Sequence, residues 1–335
     1  MDDDTKMEDP TLETPPSDVF IPPSIHPSSL KAGQSYTHFS AVPPSLLPPD
    51  VPNVSDRPAC SLGVDEAGRG PVLGPMVYGI FYLPITRETP LLRETHHFDD
   101  SKVLTPTVRS SLMQTLCTPD SDLYTSSGWA ISALSARDIS SGMLRPNNTN
   151  YNLNAQAMDA TIDLIKGVYG RGVNVTEIYV DTIGQPGVYQ KKLERVFPTA
   201  RITVAKKADS LYPVVSAASV CAKVTRDAAL ETLWRQRGGE EGEIEWGSGY
   251  PGDGRCVGWM KGNMHPVFGW GTAECRFSWG TAKDMLDTKG GVKVEWPVED
   301  DGDTHKLTDL FAKKDEAEGD ELGTWFGAPA GLEAF

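Results

Sequence analysis

The spacing of apolar residues divides the chain into a central part with regular elements and two ends without them. Two apolar runs, "CSLGVD" (60–65) and "VLGPMVYGIFYLP" (72–84), are joined by a glycine-rich turn, which is typical of paired strands. Further apolar runs predict three more strands: "GWAISALS" (128–135), "VTEIYVD" (175–181) and "ARITVA" (200–205). The sequence therefore predicts a sheet of at least five strands.

Helical periodicity appears between and after these strands. It predicts four helices, over 105–117, about 149–170, 187–197 and 212–238. In the first of these helices, Thr105 is the predicted N-cap and Pro106 the predicted first helical residue. The apolar face of the second helix comprises Leu153, Ala157, Ala160, Leu164 and Val168. Strands followed by strand–helix alternation favour an α/β domain, a mixed sheet flanked by helices.

Acidic residues stand where these strands end. Asp65 and Glu66 close the first strand, Asp181 closes the fourth, and Asp209 follows the fifth. Parallel crossovers bring strand ends together, so these carboxylates can converge and would repel one another without a cation. Oxygen ligands without Cys or His suit Mg²⁺ or Mn²⁺, and two such ions support phosphodiester hydrolysis.

Each acid also has a purely structural interpretation, which spacing alone leaves open. Asp181 and Asp209 can cap the helices that follow them, and "DE" before glycines can be an ordinary turn. Adjacent strand residues point to opposite faces, so Asp65 and Glu66 share a site only if regular strand geometry breaks there. We expect "AGRG", with Gly68 and Gly70, to supply that break.

Composition separates the two ends from the middle. Residues 1–58 hold twelve of the 26 prolines and a net charge of −6, so we predict a disordered, Pro-rich acidic extension. Residues 291–335 carry −8 and form a predicted acidic tail. The middle then carries only −1 of the total −15, so the overall acidity does not argue against a nucleic-acid partner.

Cysteines and apolar runs restrict the cellular setting. The five cysteines include no CxxC pair, which favours a reducing compartment and argues against structural disulfides or a zinc site. Neither a targeting signal nor an apolar run of membrane-spanning length is evident. We expect a soluble, intracellular protein without a membrane partner.

Several stretches resemble one family in their order along the chain: "GVDEAGRGPVLGPMVYG", "DDSKVL", "YNLN", "VNVTEIYVDT", "KKADSLYPVVSAASVCAKVTRD", "GSGYPGD" and "RFSW". This is type 2 ribonuclease H, in particular its eukaryotic catalytic (A) component, and the resemblance covers about 60–288. It implies a ribonuclease H-like fold with a helical C-terminal extension and a catalytic domain over 59–290. The implied activity is an endonuclease that hydrolyses the RNA strand of RNA–DNA hybrids. It would also nick 5′ of single ribonucleotides in duplex DNA, leaving 3′-hydroxyl and 5′-phosphate ends, in nuclear ribonucleotide excision and RNA primer removal.

The same resemblance implies the site residues. The catalytic acids, holding two Mg²⁺ or Mn²⁺ ions, would be Asp65, Glu66, Asp181 and Asp209. The substrate contacts would be Gly68, Arg69 and Gly70 at the 2′-OH, Tyr250 at the following deoxyribose, and Lys102 and Arg226 at the phosphates. Lys207 and Lys223 are further candidates for positioning the phosphate backbone.

These substrate contacts have structural alternatives. Tyr250 can be a turn aromatic. Lys223 and Arg226 can lie on a solvated helix face, paired with Asp227 or Glu231. Asn152 and Asn154 are helix-capping residues in the simpler interpretation and substrate contacts in the other.

Partners follow from the resemblance as well. It implies a heterotrimer with B and C subunits, and residues 291–335 are a candidate docking region. "THKLTDLFAKK" (304–314) is weakly similar to a sliding-clamp peptide. Two other functions remain open, a non-catalytic hybrid-binding scaffold and a DNA nuclease of the same fold. The four acids count against the scaffold, and the GRG element counts against the DNA nuclease.

Overall fold

A computed structural model describes residues 20–98, 104–145, 151–182, 185–239, 245–288 and 291–292. These residues belong to one compact unit that ends at Val292. Nearly all of the predicted acidic tail, including the clamp-like peptide at 304–314, lies outside the described residues, as does Lys102.

A six-stranded mixed sheet forms the centre of the unit. Its strands are β1 (Tyr36–Phe39), β2 (Cys60–Ala67), β3 (Met76–Pro84), β4 (Gly128–Leu134), β5 (Val175–Asp181) and β6 (Arg201–Ala205). They lie in the order β1-β4-β3-β2-β5-β6. Each of the first four strands in this order is antiparallel to its neighbour, whereas the pairs β2–β5 and β5–β6 are parallel. The five predicted strands and the mixed sheet are confirmed.

Eleven α-helices accompany the sheet in the described part of the chain. They are α1 (Pro27–Lys31), α2 (Ile85–Arg87), α3 (Pro106–Cys117), α4 (Asp122–Ser126), α5 (Ala136–Met143), α6 (Leu153–Tyr169), α7 (Pro186–Val196), α8 (Ala208–Leu211), α9 (Pro213–Gln236), α10 (Gly254–Gly262) and α11 (Gly280–Thr288). Short 3-10 turns (Pro44–Leu46 and Val54–Asp56) and a π-helical segment (Glu88–Thr95) complete the list. None of the described helices has the length and apolar character to cross a bilayer.

Capping residues define where the predicted helices begin. Thr105 accepts a hydrogen bond from the Val108 amide, and Pro106 is the first residue of α3, as predicted. The helix predicted from about 149 begins at Leu153, because the Asn152 side chain accepts from the Ala155 amide and ends the preceding extended backbone.

Helices cover both faces of the sheet. On one face, Leu62 and Val64 of β2 pack in a core that includes the apolar side of α6. On the other face α9 lies very close to β2, since a Cβ atom at Gly63 would stand 2.2 Å from the Val214 carbonyl oxygen. This close approach brings the polar residues of α9 to the end of β2, where the acids lie.

The prediction of disorder over residues 1–58 is wrong for residues 20–58. Strand β1 pairs with β4, and the side chains of Ile25, Leu30 and Leu46 are buried. Composition misled here because a few apolar residues and one four-residue strand suffice when they dock on an existing core. Residues 1–19 lie outside the described part of the chain.

The predicted break in strand geometry at the two acids is also wrong. The antiparallel register with β3 continues through Asp65 opposite Gly79, Glu66 opposite Tyr78 and on to Ala67. Pairing with β5, by contrast, ends at Val64 opposite Val180. The two acids therefore stay in a regular strand and point to opposite faces, Asp65 toward α9 and Glu66 toward a cavity beside α6. Both lie beyond the last rung with β5, so the sheet does not separate them there and their charges still interact with each other and with Asp181.

Candidate active site

Asp65 and Glu66 lie on β2 where its pairing with β5 has ended, close to the charge of Asp181 on β5. Asp65 is 6% exposed, and its Oδ1 accepts the Glu66 amide at 2.7 Å. Ser219 of α9 donates a side-chain hydrogen bond to Asp65, and the Lys223 ammonium attracts the same carboxylate. Two neighbouring strands and α9 thus supply the groups of one acidic site.

Burial and mutual repulsion raise the pKa values of Asp65 and Glu66. Burial raises the pKa of Asp65 most, and the negative charge of Asp181 is the second cause that raises it; the resulting pKa is about 7. Burial and the Asp65 charge raise the pKa of Glu66 to about 8, against the attraction of Arg69. A divalent cation would offset this repulsion, and the donor set consists of oxygen atoms, so these residues fit Mg²⁺ or Mn²⁺.

The capping alternatives for the other two acids are wrong. Asp181 Oδ1 accepts the Ala208 amide at 2.9 Å, and the residue before α7 is Gln185, which makes no side-chain cap. Asp209 lies buried within α8, one residue beyond the amide that binds Asp181, and the cap position of α9 belongs to Tyr212. The first residue of α8 therefore links Asp181 on β5 to the neighbouring Asp209.

Convergence of all four acids at one site that holds two ions stays a prediction. Within the described ranges, no three carboxylate, imidazole or thiolate side chains are grouped closely enough to enclose a metal ion. The mutual charge interactions link Asp65, Glu66 and Asp181.

The loop after the acids, residues 68–70, is held by two side chains that sequence reasoning missed. Arg276 is fully buried and donates from Nη2 to the Gly68 carbonyl at 2.6 Å and from Nη1 to the Arg69 carbonyl at 3.0 Å. Trp279 Nε1 donates to the Gly70 carbonyl at 2.9 Å. Both belong to "RFSW", so the motif was visible, but nothing in the sequence indicates which arginine is buried.

The Arg226 side chain packs so closely against Gly68 that it leaves no room for a Cβ atom at residue 68. Gly68 has a φ of +76°, and a Cβ atom there would stand 2.4 Å from Nε of Arg226. Arg226 is 6% exposed, donates from Nη2 to the Ser248 carbonyl at 2.8 Å, and lies 3.5 Å from the Asp227 carboxylate. The solvated helix face is therefore wrong for Arg226, which lies beneath the loop.

Tyr250 lies against this loop. A Cβ atom at Gly70 would stand 3.2 Å from Cε1 of Tyr250, whose side chain is 36% exposed. The Asp253 carboxylate accepts from the amide and the hydroxyl of Ser248 at 2.9 Å each and braces this turn. Burial would raise the pKa of Asp253, but the hydrogen bonds from Ser248 and Arg255 outweigh it and lower that pKa to about 2.

Arg69 extends in another direction, across a cavity of about 600 Å³ lined by Glu66, Asp181 and the first turns of α6 and α7. Its Nη2 donates to Oδ1 of Asn154, and it also donates to the hydroxyl of the buried Tyr78. Asn152 caps α6, whereas Asn154 does not cap but contacts the GRG loop. Capping is therefore confirmed for Asn152, which also lines this cavity, and is wrong for Asn154.

The remaining basic candidates differ in their placement. Lys223 faces Asp65, so it belongs to the acidic site. Lys207 is exposed and adopts the left-handed conformation with φ +56° immediately before α8. The left-handed conformation is unfavourable for a residue with a side chain. At Lys207 it forms the turn that leads into α8 and so positions Asp209.

Comparison with known proteins now identifies the family. A family model described as Ribonuclease HII matches residues 62–282. The chain belongs to the ribonuclease HII family. It is 66% identical over 320 residues to the ribonuclease H2 A subunit of Neurospora crassa, covering 94% of this chain and 97% of that protein. It is 43% identical over 264 residues to the Homo sapiens protein of the same name, covering 78% and 85% of the two chains.

A solved structure agrees with the fold. The ribonuclease H2 from Pyrococcus horikoshii OT3 superposes with a TM-score of 0.55 at 28% identity, over 68% of this chain and 97% of that chain. The predicted ribonuclease H-like fold and the resemblance to eukaryotic type 2 catalytic chains are confirmed. The chain is an endoribonuclease of the ribonuclease H class, a hydrolase of the RNA strand of RNA–DNA hybrids.

Proposed function

We propose that this ribonuclease also nicks duplex DNA on the 5′ side of a single embedded ribonucleotide and leaves 3′-hydroxyl and 5′-phosphate ends. One observation carries the proposal. The loop at residues 68–70 begins two residues after Glu66 and touches the exposed ring of Tyr250 at its other end. A sugar that contacts this loop would therefore be close to the acids that hydrolyse its phosphate.

The acids have the character of a cation site. We propose that Asp65, Glu66, Asp181 and Asp209 hold two divalent ions, Mg²⁺ or Mn²⁺. When bound, such ions supply the positive charge that water activation and departure of the 3′-oxygen require. The Glu66 amide and the Ser219 side chain donate hydrogen bonds to Asp65, and the Ala208 amide donates to Asp181. These bonds orient the carboxylates before any ion binds.

Recognition of the ribose is assigned to the loop. The 2′-OH is the group that separates RNA from DNA at a given sugar, and glycine lets backbone atoms reach it. We assign this contact to Gly68 and Gly70, and we assign the next deoxyribose to the ring of Tyr250. Arg226 supports both from below, because it lies against Gly68 and 5.6 Å from the ring centroid of Tyr250.

Basic residues would hold the nucleic-acid backbone. Lys223 lies beside Asp65 and Lys207 is exposed near Asp209, so both suit phosphates on either side of the cleaved bond. Lys102 keeps the phosphate-contacting role that the family resemblance implies.

The assembly and the cellular role are proposals as well. The name of the Neurospora crassa relative makes it one component of a larger enzyme, and we propose that this chain likewise works with B and C subunits, with residues 291–335 as a docking region. Sliding-clamp binding by 304–314 is the weaker part of this proposal. Ribonucleotide excision and RNA primer removal in the nucleus would follow from the substrates.

The direct test uses a DNA duplex with one ribonucleotide, incubated with Mg²⁺ and either this chain alone or the chain with its candidate partner subunits. We expect a nick 5′ of the ribonucleotide. If the chain cleaves only with its partner subunits, assembly of the complex is what activates the enzyme. Asp65→Asn and Asp209→Asn should abolish the nick and retain binding, while a normal nick from Asp209→Asn would contradict the metal assignment. Hybrid binding without cleavage by the native assembly would favour the scaffold function instead.

A further inference from the structure

The side chain and the backbone of Arg69 are held by different groups. Arg276 donates to the carbonyl of Arg69, so the backbone is fixed from the side of "RFSW". The guanidinium instead contacts Asn154 on α6 and Tyr78 on β3. The direction of the Arg69 side chain therefore depends on contacts that the loop itself does not supply.

The two partners of the guanidinium differ in rigidity. Tyr78 is 3% exposed and lies opposite Glu66 in the sheet, so its position is fixed by the fold. Asn154 is exposed on the first turn of α6, and its side chain is not used as the helix cap, which Asn152 provides. An exposed polar contact of this kind adds little to folding stability, so its main effect is on where the guanidinium lies.

We propose that Asn154 is a positioning residue that holds the guanidinium of Arg69 at the mouth of the acidic cavity, ready to bind a phosphate of the RNA strand. The proposal rests on the proposed function, since it assumes that the substrate enters over the loop at 68–70. A guanidinium has five N–H donors in a fixed plane. With Asn154 and Tyr78 accepting two, the others remain for a phosphate, and a guanidinium fixed in advance loses less entropy when it binds.

Among the described residues, the wall of this cavity also carries the cation Lys192 and the acids Glu66, Asp159 and Asp181. An anionic phosphate would be drawn to the side where Arg69 lies and kept there by its fork of donors. Without Asn154, the flexible arginine side chain would turn toward these acids, and substrate affinity would fall.

The test uses the full chain in its active assembly and measures kcat and KM separately on the single-ribonucleotide duplex. Asn154→Ala should raise KM about fivefold to tenfold and change kcat less than about twofold. Asn154→Gln keeps a neutral acceptor and should recover most of the loss. Ser121→Ala is the matched control, because Ser121 caps α4 and is not among the described residues that line this cavity, so removal of that cap should lower Tm by a few degrees without the KM change.

A double-mutant cycle separates positioning from a structural role. Arg69→Ala should raise KM more than Asn154→Ala, and adding Asn154→Ala to it should change KM less than about twofold, since the group that Asn154 positions is already gone. An unchanged KM for Asn154→Ala, or effects that multiply in the double variant, would overturn the inference. If the native assembly does not nick the duplex at all, the proposed function fails instead.

Discussion

Replacing Gly68 by alanine tests the packing beneath the loop most sharply. Gly68 has a φ of +76°, and an L residue in the left-handed region costs about 1–2 kcal/mol. The new Cβ atom would stand 2.4 Å from Nε and 2.5 Å from Cδ of Arg226, and 2.9 Å from the Pro75 carbonyl oxygen. Arg226 is buried and cannot swing into solvent, so overpacking adds about 1–3 kcal/mol.

The two contributions together predict that Gly68→Ala lowers the free energy of unfolding by about 2–5 kcal/mol. The assay is urea denaturation of the purified chain, read by circular dichroism. Gly187→Ala is the matched control, since Gly187 lies in α7 with nothing within 4 Å of its Cβ position. Alanine there should be neutral or stabilise by up to about 1 kcal/mol through helix propensity.

A functional readout accompanies the stability measurement. Arg226 also lies near the ring of Tyr250 and binds the Ser248 carbonyl, so its displacement should disturb ribonucleotide recognition. We expect cleavage of the single-ribonucleotide duplex to fall at least tenfold, roughly 1.4 kcal/mol, at temperatures where Gly68→Ala is still folded. A free energy of unfolding within about 0.5 kcal/mol of the native value, with normal cleavage, would refute this reasoning.

Further predictions concern the core, the loop support and the charges. Gly63→Ala should destabilise by about 1–3 kcal/mol in urea denaturation, since its Cβ would meet the backbone of α9 at 2.2 Å. Arg276→Lys cannot reach several carbonyls at once, so kcat/KM for the single-ribonucleotide duplex should fall about tenfold or more, and an unchanged value would contradict its supporting role. In buffer without divalent ions, the free energy of unfolding should decline from pH about 4 to about 8, because the raised pKa values of Asp65 and Glu66 make the unfolded state release protons first. The double variant Asp65→Asn, Glu66→Gln should lose most of this decline, and the remainder comes from Glu88 and Asp227, whose pKa values burial also raises. Deletion of residues 1–40 uncovers the edge of β4 and buried apolar side chains, so the thermal midpoint should drop by several degrees rather than stay constant.

Local signals in the sequence were sufficient for most of the elements. Thr105 and Pro106 identified the start of α3, and the alternation of apolar residues located the five long strands of the sheet. Strand β1 escaped because four residues, "YTHF", are too few to show a period. Its stability comes from pairing with β4, a long-range contact that no local pattern reports.

The candidate site could be predicted only in part, because long-range pairing leaves no local pattern in the sequence here either. The acids could be recognised from their positions at strand ends, but their register against β3, which keeps Asp65 and Glu66 in a regular strand, depends on tertiary pairing. The depth at which a charged side chain lies is equally invisible. Arg226 on a helix and Arg276 in "RFSW" look like surface cations in sequence, yet both are buried supports of the loop.

We propose above all that the loop at residues 68–70 recognises the 2′-OH of the substrate beside the four acids. The most direct measurement compares three duplexes that differ at one sugar, which carries a 2′-OH, a 2′-fluorine or a 2′-hydrogen, each incubated with the assembled native enzyme and Mg²⁺. We predict a nick 5′ of that sugar only in the duplex that carries the 2′-OH. Comparable cleavage of the fluorinated or the all-DNA duplex would contradict the account.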